Sequence, residues 1–72
     1  MKNKKFKVYF NDGTYADVAF VKDGERFRLL NVKEGYLYEK SFKDVQHTER
    51  QLRYFFGNDN ITKIESNKVF II

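Results

Sequence analysis

The chain has no cysteine, no proline and no tryptophan among its 72 residues, and it has a single histidine. Without thiols it can form neither a disulfide nor a structural zinc site of the Cys/His type. The lack of proline leaves every backbone amide available to a sheet ladder. A domain of this size buries only about 60% of the surface of its unfolded chain. Its stability must therefore come from close packing, to which a homodimer could add.

Long apolar segments are also absent. No unbroken apolar run exceeds the four residues found at 69–72, whereas a membrane-spanning helix needs roughly 20. The lysine-rich first seven residues are not followed by the apolar stretch of a secretory signal. We therefore expect no membrane partner and a cytoplasmic location.

The net charge of +4 is unevenly distributed, because residues 8–72 carry ten basic and ten acidic side chains. Proteins dedicated to nucleic-acid binding spread their cationic excess over a face or groove. Here the pattern predicts one domain, residues 1–72, with a flexible lysine-rich leader at residues 1–4 and a body that is electrically balanced from residue 8 onward. The excess comes from Lys2, Lys4, Lys5 and Lys7.

Aromatic residues are abundant, with eight Phe and five Tyr, and large rings bury much area in a small core. The 11-residue spacing of Gly13, Gly24 and Gly35 is typical of strands joined by short turns. The intervening segments are rich in Phe, Tyr, Val and Leu. This pattern predicts an antiparallel β-meander of about four strands. The segments are residues 4–10, 14–21, 26–32 and 36–42.

Alternation within the strands predicts which side chains face the core, because a slip of one residue reverses both faces. A three-residue turn at 11–13, with Gly13 left-handed, sets Val8 opposite Ala16 and keeps apolar residues on one face. The predicted inner residues are Phe6, Val8, Phe10, Ala16, Val18, Phe20, Phe27 and Leu29.

The sequence predicts a definite loop for the second turn but leaves the third turn open. A two-residue type I′ loop at Asp23 and Gly24 pairs Phe20 with Phe27. At the end of the third strand, residues 29–32 are apolar on both faces. That pattern is compatible with a bulge, with a strand covered on both sides, or with an exposed contact surface.

A helix is predicted at about residues 48–56. Residues 48–51 fit the capping box, in which a Thr hydroxyl and a Gln side chain satisfy free amides at the helix start. Gly57 is placed to end the helix, and a start at Ser41 is the alternative. The apolar stripe at i, i+3 and i+4 consists of Leu52, Phe55 and Phe56.

Two apolar segments close the chain, residues 61–65 and 69–72, on either side of residues 66–68. They predict a β-hairpin whose last strand, apolar on both faces, lies inside the sheet. The predicted fold class is therefore α+β, with the order ββββαββ. A small SH3-like barrel is the alternative.

Residues for catalysis or metal binding are scarce. His47 is the one imidazole and lies in a polar stretch. Asp12, Asp23 and Glu34 each precede a turn glycine, but none begins the alternating oxygen ladder of a calcium loop. The glycines occur singly and form no phosphate-binding loop. We expect no catalytic residue, no metal ligand and no cofactor, and hence a protein that is not an enzyme.

Binding is the remaining class of function. Tyr and Arg are enriched at protein interfaces, and the predicted outer face of the sheet carries both. Any sheet with one buried face also exposes such residues, so the pattern alone does not separate a binding surface from a solvated one. The candidate binding residues are Lys5, Lys7, Tyr9, Tyr15, Arg26 and Arg28, extended by Tyr36, Tyr38 and Lys40.

Two functional hypotheses follow. The first is a small module that docks onto a host protein through this Tyr/Arg face or through a strand edge. Residue types with A/T-rich codons make up nearly half of the chain, which is typical of phage and mobile-element products. This favours an inhibitor or modulator of a host protein, such as a nuclease or other defence machinery. The alternative is direct nucleic-acid binding by the same face, with the N-terminal lysines as an electrostatic arm.

Residues 35–43 and 48–56 resemble, as a strand followed by a helix, the end of the integrase arm-binding domains that read DNA with a sheet. The resemblance covers about a third of the chain. Glu39, Asp44 and the predicted C-terminal hairpin depart from the family pattern, so the resemblance assigns no family.

Overall fold

The chain folds into one antiparallel sheet and one helix. The computed structural model describes the backbone of residues 2–71 and the side chains of residues 5–66. The first four strands form the predicted meander, and the last strand pairs with the first, giving the sheet order β4-β3-β2-β1-β5. A 3₁₀ turn, Asn58–Asn60, precedes the last strand. The elements are β1 (Lys2–Phe10), β2 (Tyr15–Asp23), β3 (Arg26–Asn31), β4 (Tyr36–Phe42), α1 (Thr48–Phe56) and β5 (Ile61–Ile71).

The α+β class is confirmed, but the predicted C-terminal hairpin is wrong, because residues 61–71 form a single strand. β5 runs antiparallel to β1 from Ile61, opposite Phe10, to Ile71, opposite Lys2. A tight turn at residues 66–68 would need a residue with positive φ, and within residues 2–71 only glycines have one. β5 therefore lies at a sheet edge and not in the interior; Ile72, part of the predicted strand, lies outside the described residues.

The sheet remains open. Its edges are β4 and β5, and the described backbone shows no pairing between them, whereas a closed barrel would require it. α1 covers one face, which we call the inner face. The predicted leader includes Met1, which lies outside the described residues; the backbone of residues 2–4 belongs to β1 and pairs with β5.

The first turn has the predicted form. Phe10 and Thr14 close a three-residue loop, with the Phe10 amide donating to the Thr14 carbonyl at 2.9 Å. Gly13 has a φ of +90°, and Val8 lies opposite Ala16. The Asp12 carboxylate accepts hydrogen bonds from the Thr14 hydroxyl and amide, and these bonds hold the pKa of Asp12 below its usual range.

The predicted register between the second and third strands is wrong by two residues, because the loop lies one residue later in the chain. Asp23 lies opposite Arg26, so the loop is Gly24 and Glu25, and Phe20 pairs with Leu29. Only Gly24 has a positive φ, +68°, which is the φ pattern of a type II′ turn. A type I′ loop at Asp23 and Gly24 would have forced a non-glycine residue to positive φ. A shift of two residues leaves every side chain on its predicted face.

The third turn is followed by a bulge, one of the three alternatives. Arg28 lies opposite Ser41, but Leu30 lies opposite Leu37, so β4 has two more residues than β3 between these pairs. In the loop at residues 32–35, the buried Asn31 side chain accepts a hydrogen bond from the Glu34 amide at 2.8 Å. Because the shift is two residues, alternation continues through the bulge, and the same set of β4 residues faces α1 before and after it.

The helix has the predicted bounds, Thr48–Phe56, but not the predicted cap. His47 is the N-cap residue and makes no side-chain hydrogen bond to the helix. The Gln51 side chain instead donates to the Asp44 carbonyl at 2.7 Å. Gly57 ends the helix with a φ of +91°. Within residues 2–71, no helix is long and apolar enough to cross a membrane.

The core lies between α1 and the inner face of the sheet. The predicted inner residues are confirmed: five of them are buried, and Phe10, Ala16 and Phe27 are partly buried and pack against the others. The Phe20 ring contacts two neighbours edge to face, Phe6 at 6.2 Å and Phe42 at 5.4 Å between centroids. The buried cluster is Phe6, Val8, Val18, Phe20, Leu29, Phe42, Leu52 and Ile61.

Candidate functional site

Three of the predicted binding residues meet on the outer face, the side of the sheet away from α1. Antiparallel pairing sets Tyr9 of β1 opposite Tyr15 of β2, with ring centroids 6.1 Å apart. The Lys7 ammonium lies 4.7 Å from the centroid of the Tyr15 ring, within the range of a cation–π contact. Asp17 lies opposite Lys7.

The structure adds three residues that sequence reasoning missed. Lys63 and Glu65 of β5 lie beside Tyr9: the Lys63 ammonium is 4.9 Å from its ring centroid, and the Tyr9 hydroxyl donates to Glu65 Oε1 at 3.0 Å. Lys33, from the third turn, lies 5.4 Å from the Tyr15 ring centroid. No local pattern could have found them, because only the pairing of β5 with β1 and the path of the third turn bring them here.

We call this surface the tyrosine face. Its two rings are held side by side on adjacent strands, with ammonium groups against them, the Glu65 carboxylate bonded to the Tyr9 hydroxyl, and Asp17 opposite Lys7. The tyrosine face consists of Lys7, Tyr9, Tyr15, Asp17, Lys33, Lys63 and Glu65.

The hydrogen bond between Tyr9 and Glu65 shifts the pKa of both side chains. The bond from Tyr9, with a second from Lys63 at 3.4 Å, lowers the pKa of Glu65. Desolvation, followed by the same hydrogen bond and the negative charge of Glu65, raises the pKa of Tyr9. Near neutral pH the glutamate is therefore charged and the phenol protonated, which are the states that the hydrogen bond requires.

A pH-dependent stability difference follows from the lowered pKa of Glu65. Because the folded state holds the carboxylate in its charged form, this contribution is present above the pKa of the unfolded chain. It is lost as the pH falls through the folded pKa. We expect Glu65→Gln to be less stable than the natural chain at neutral pH, with the difference shrinking on acidification. Urea unfolding between about pH 2 and about pH 7 measures it.

Tyr9→Phe is the matched control, because it removes the same hydrogen bond from the donor side. It should show the same convergence with the natural chain at acid pH. A difference in unfolding free energy that stays constant with pH in both variants would contradict this account of the pair.

The other predicted outer residues of β1 and β3 lie on the same face, away from the two tyrosines. Lys5 lies opposite Ala19. Arg28 donates to the Tyr38 carbonyl at 2.7 Å and pairs with Asp23 at 3.3 Å, so its guanidinium supports the bulge in β4. Arg26 donates from Nε to the Ser41 hydroxyl at 2.7 Å.

The predicted extension of this face to Tyr36 and Tyr38 is wrong. Tyr36 lies opposite the inward-facing Asn31, and the two tyrosine rings contact each other at 5.2 Å. Tyr38 packs edge to face against Phe55 of α1 at 5.1 Å, and burial raises its pKa. Leu37 takes the outward position, because alternation in β4 continues unchanged from the pair of Tyr36 with Asn31 to the pair of Phe42 with Phe27.

Lys40 belongs to a second surface, between β4 and α1. Its ammonium lies 4.9 Å from the centroid of the Tyr54 ring, and Tyr54 is 74% exposed. The two side chains line an open groove of about 420 Å³ with Arg26, Lys43 and Arg50. We call it the basic groove, because no acidic residue lines it.

The four cations of the basic groove form no ion pair with a carboxylate among the described side chains. The ion pairs among the described side chains join Arg28 to Asp23, Arg53 to Glu49 and Lys63 to Glu65, and none includes a cation of the groove. Lys43, Arg50 and Tyr54 were missed by sequence reasoning. The i, i+4 spacing of Arg50 and Tyr54, on the helix side opposite Leu52, was the available signal.

Metal-binding clusters are not found among the described side chains, where no three His, Cys, Asp or Glu residues converge. His47 is exposed at the start of α1. In comparisons with protein-family models, with curated proteins and with solved structures, no family model, protein or structure matches this chain.

Proposed function

We propose that the protein is a small non-catalytic binding protein that docks onto a host protein through the tyrosine face. The observation that carries the proposal is the pair of adjacent rings, Tyr9 and Tyr15, held 6.1 Å apart on neighbouring strands. Tyr15 is 43% exposed. Rings already fixed in place lose little conformational entropy on binding, and such aromatic anchors often dominate the energy of an interface.

The charges around the rings favour a protein over a nucleic acid at this face. Three lysines surround the tyrosines, but the carboxylates of Asp17 and Glu65 lie among them. These carboxylates would repel a phosphate backbone, whereas a protein surface can offer both signs of charge in complementary positions. The partner surface is therefore expected to place acidic side chains opposite the lysines and an apolar patch opposite the rings.

The composition favours a role as an inhibitor or modulator that acts by covering a functional surface of the host protein. Small cysteine-free chains that are rich in residue types with A/T-rich codons are typical of phages and mobile elements. A nuclease or another component of a defence system in the cytoplasm is the class of target we propose. The protein needs no catalytic group for this role, because covering a functional surface of the target is sufficient.

Site-specific photo-crosslinking tests the proposal. A photoreactive phenylalanine derivative is placed at position 15, on the tyrosine face, or at position 54, on the exposed side of α1, and the chain is expressed in host cells. Both positions carry exposed tyrosines, so the replacements are matched. We expect one discrete protein to be cross-linked from position 15, to be displaced by excess natural chain, and not to be labelled from position 54.

Binding to the purified partner then provides the quantitative test. The double variant Tyr9→Ser/Tyr15→Ser should weaken binding by about tenfold or more, as expected for aromatic anchors. The control Lys43→Ser/Arg50→Ser, in the basic groove, should change it by less than about twofold, the range expected outside an interface. Equal losses in both variants, or labelling from both positions, would contradict docking through the tyrosine face.

Direct nucleic-acid binding by the sheet face is the second candidate. It is favoured by the three ammonium groups that lie against the Tyr9 and Tyr15 rings, since rings and cations together can stack bases and hold phosphates. It predicts oligonucleotide binding that weakens steeply with salt and is lost in Lys7→Gln/Lys63→Gln. Retention of oligonucleotide binding in that variant would exclude the sheet face as the nucleic-acid site.

A further inference from the structure

The basic groove lies at the other end of the sheet from the tyrosine face and has a different electrostatic character. Arg26, Lys40, Lys43 and Arg50 converge on it from β3, β4, the segment after β4, and α1. Within the described side chains, none of these four is paired with a carboxylate. Like charges at close range repel each other, so this arrangement favours an anionic ligand that neutralises them.

Tyr54 separates the basic groove from a second hollow. The ring lines both, and so does Arg50. The second hollow, about 650 Å³ and open to solvent, is otherwise formed by the helix and the following turn, and its other lining residues are Glu49, Arg53, Gly57 and Asn58. The exposed Tyr54 ring therefore lies between the cations of the basic groove and the second hollow, where Glu49 pairs with Arg53 at 3.3 Å and leaves the unpaired cations to the groove.

We propose that this surface binds single-stranded nucleic acid, with phosphates in the basic groove and a base stacked on Tyr54. Cations along a groove and a projecting ring are the two components of a single-strand binding surface. A duplex keeps its base faces stacked within the helix, so the exposed ring would gain nothing from it. This inference does not depend on the tyrosine face, which uses other residues on other strands.

A single phosphate group on a peptide fits the surface less well. Four cations drawn from four segments exceed what one phosphate can contact, whereas successive phosphates of a strand can use them in turn. The ring at the groove boundary also has a role only if the ligand carries planar groups. Single-stranded nucleic acid satisfies both features, and a phosphopeptide is retained as a competing ligand in the test.

Fluorescence anisotropy with a labelled oligothymidylate of about 12 nucleotides tests the proposal on the full chain. We expect micromolar binding at low salt that weakens as salt is raised. Lys43→Gln/Arg50→Gln should weaken binding by about tenfold or more and reduce the salt slope by about 1.4. Tyr54→Ala should weaken binding by about fivefold or more while leaving the salt slope unchanged. The three side chains line the surface without ion pairs, so the fold should tolerate these changes.

The matched control is Lys7→Gln/Lys33→Gln, which removes the same net charge from the tyrosine face. It should change oligonucleotide affinity by less than about threefold, through the general field alone. The proposal is overturned if the natural chain does not bind the strand at low salt or if both double variants lose affinity equally. Tighter binding of the duplex, or of a phosphoserine peptide, would overturn it as well.

Discussion

Leu52→Ala is expected to remove about 2–5 kcal/mol from the free energy of unfolding. Leu52 is fully buried, and it is the one buried residue of α1. It belongs to the buried cluster on the inner face of the sheet, together with Val8, Val18 and Leu29. A domain of 72 residues has on the order of 4–11 kcal/mol of stability in total. The cavity left by this one side chain would therefore consume a large part of it.

Urea denaturation followed by circular dichroism measures the loss. Tyr54→Ala is the matched control on the same helix, because its ring is 74% exposed and a surface substitution of this kind costs within about 0.5 kcal/mol. If the two variants lost equal stability, α1 would be held by its own helical propensity and not by its contact with the sheet.

The parts of the fold that sequence reasoning predicted correctly depend on local periodicity. Alternation sets Val8 opposite Ala16 across a three-residue turn, because a two-residue turn would shift the register by one residue and expose one apolar set. The stripe of Leu52, Phe55 and Phe56 predicts both the existence of α1 and the side on which it is covered. In each case a single slip would reverse the burial of several side chains, so the sequence strongly constrains the outcome.

The errors arise where the hydrophobic periodicity is the same for two alternative structures. Loops at Asp23–Gly24 and at Gly24–Glu25 keep the same residues facing inward, so alternation cannot distinguish them, and the conformational requirement of the loop decides. The C-terminal segment reads as apolar on both faces whether it is interior or at an edge. Its pairing with β1, from Ile61 to Ile71, is a long-range contact between the two ends of the chain.

The candidate sites follow the same division. Tyr9 and Tyr15 could be placed together from the first turn alone. Tyr38 could not be placed correctly, because the pattern of residues 29–32 left the third turn, and with it the register of β4, undetermined. The basic groove draws Arg26, Lys43 and Arg50 from three different segments, which only the packing of α1 against the sheet brings together. The net charge of residues 8–72 is zero, but that balance conceals a local surface on which cations are concentrated.

Asn31→Ala is expected to destabilise the protein by about 1–3 kcal/mol, the cost of leaving buried polar groups without a partner. Asn31 is buried. Its amide nitrogen donates to the Tyr38 hydroxyl at 3.1 Å and to the Tyr36 hydroxyl at 3.4 Å. Its oxygen accepts from the Glu34 amide at 2.8 Å. One side chain thus connects the third turn to the ring that packs against α1.

Asn11→Ala makes the same chemical change at an exposed position, where the side chain donates to the Asp59 carbonyl at 2.6 Å and accepts from Thr62 at 2.8 Å. Water can replace both bonds there, so we expect a loss below about 1 kcal/mol. Urea unfolding compares the two variants, and hydrogen exchange of the Glu34 amide reports on the turn directly. Because the Glu34 amide loses its acceptor only in Asn31→Ala, its protection should fall in that variant alone. Equal unfolding free energies and unchanged protection would mean that backbone pairing, and not the Asn31 amide, holds the turn against the sheet.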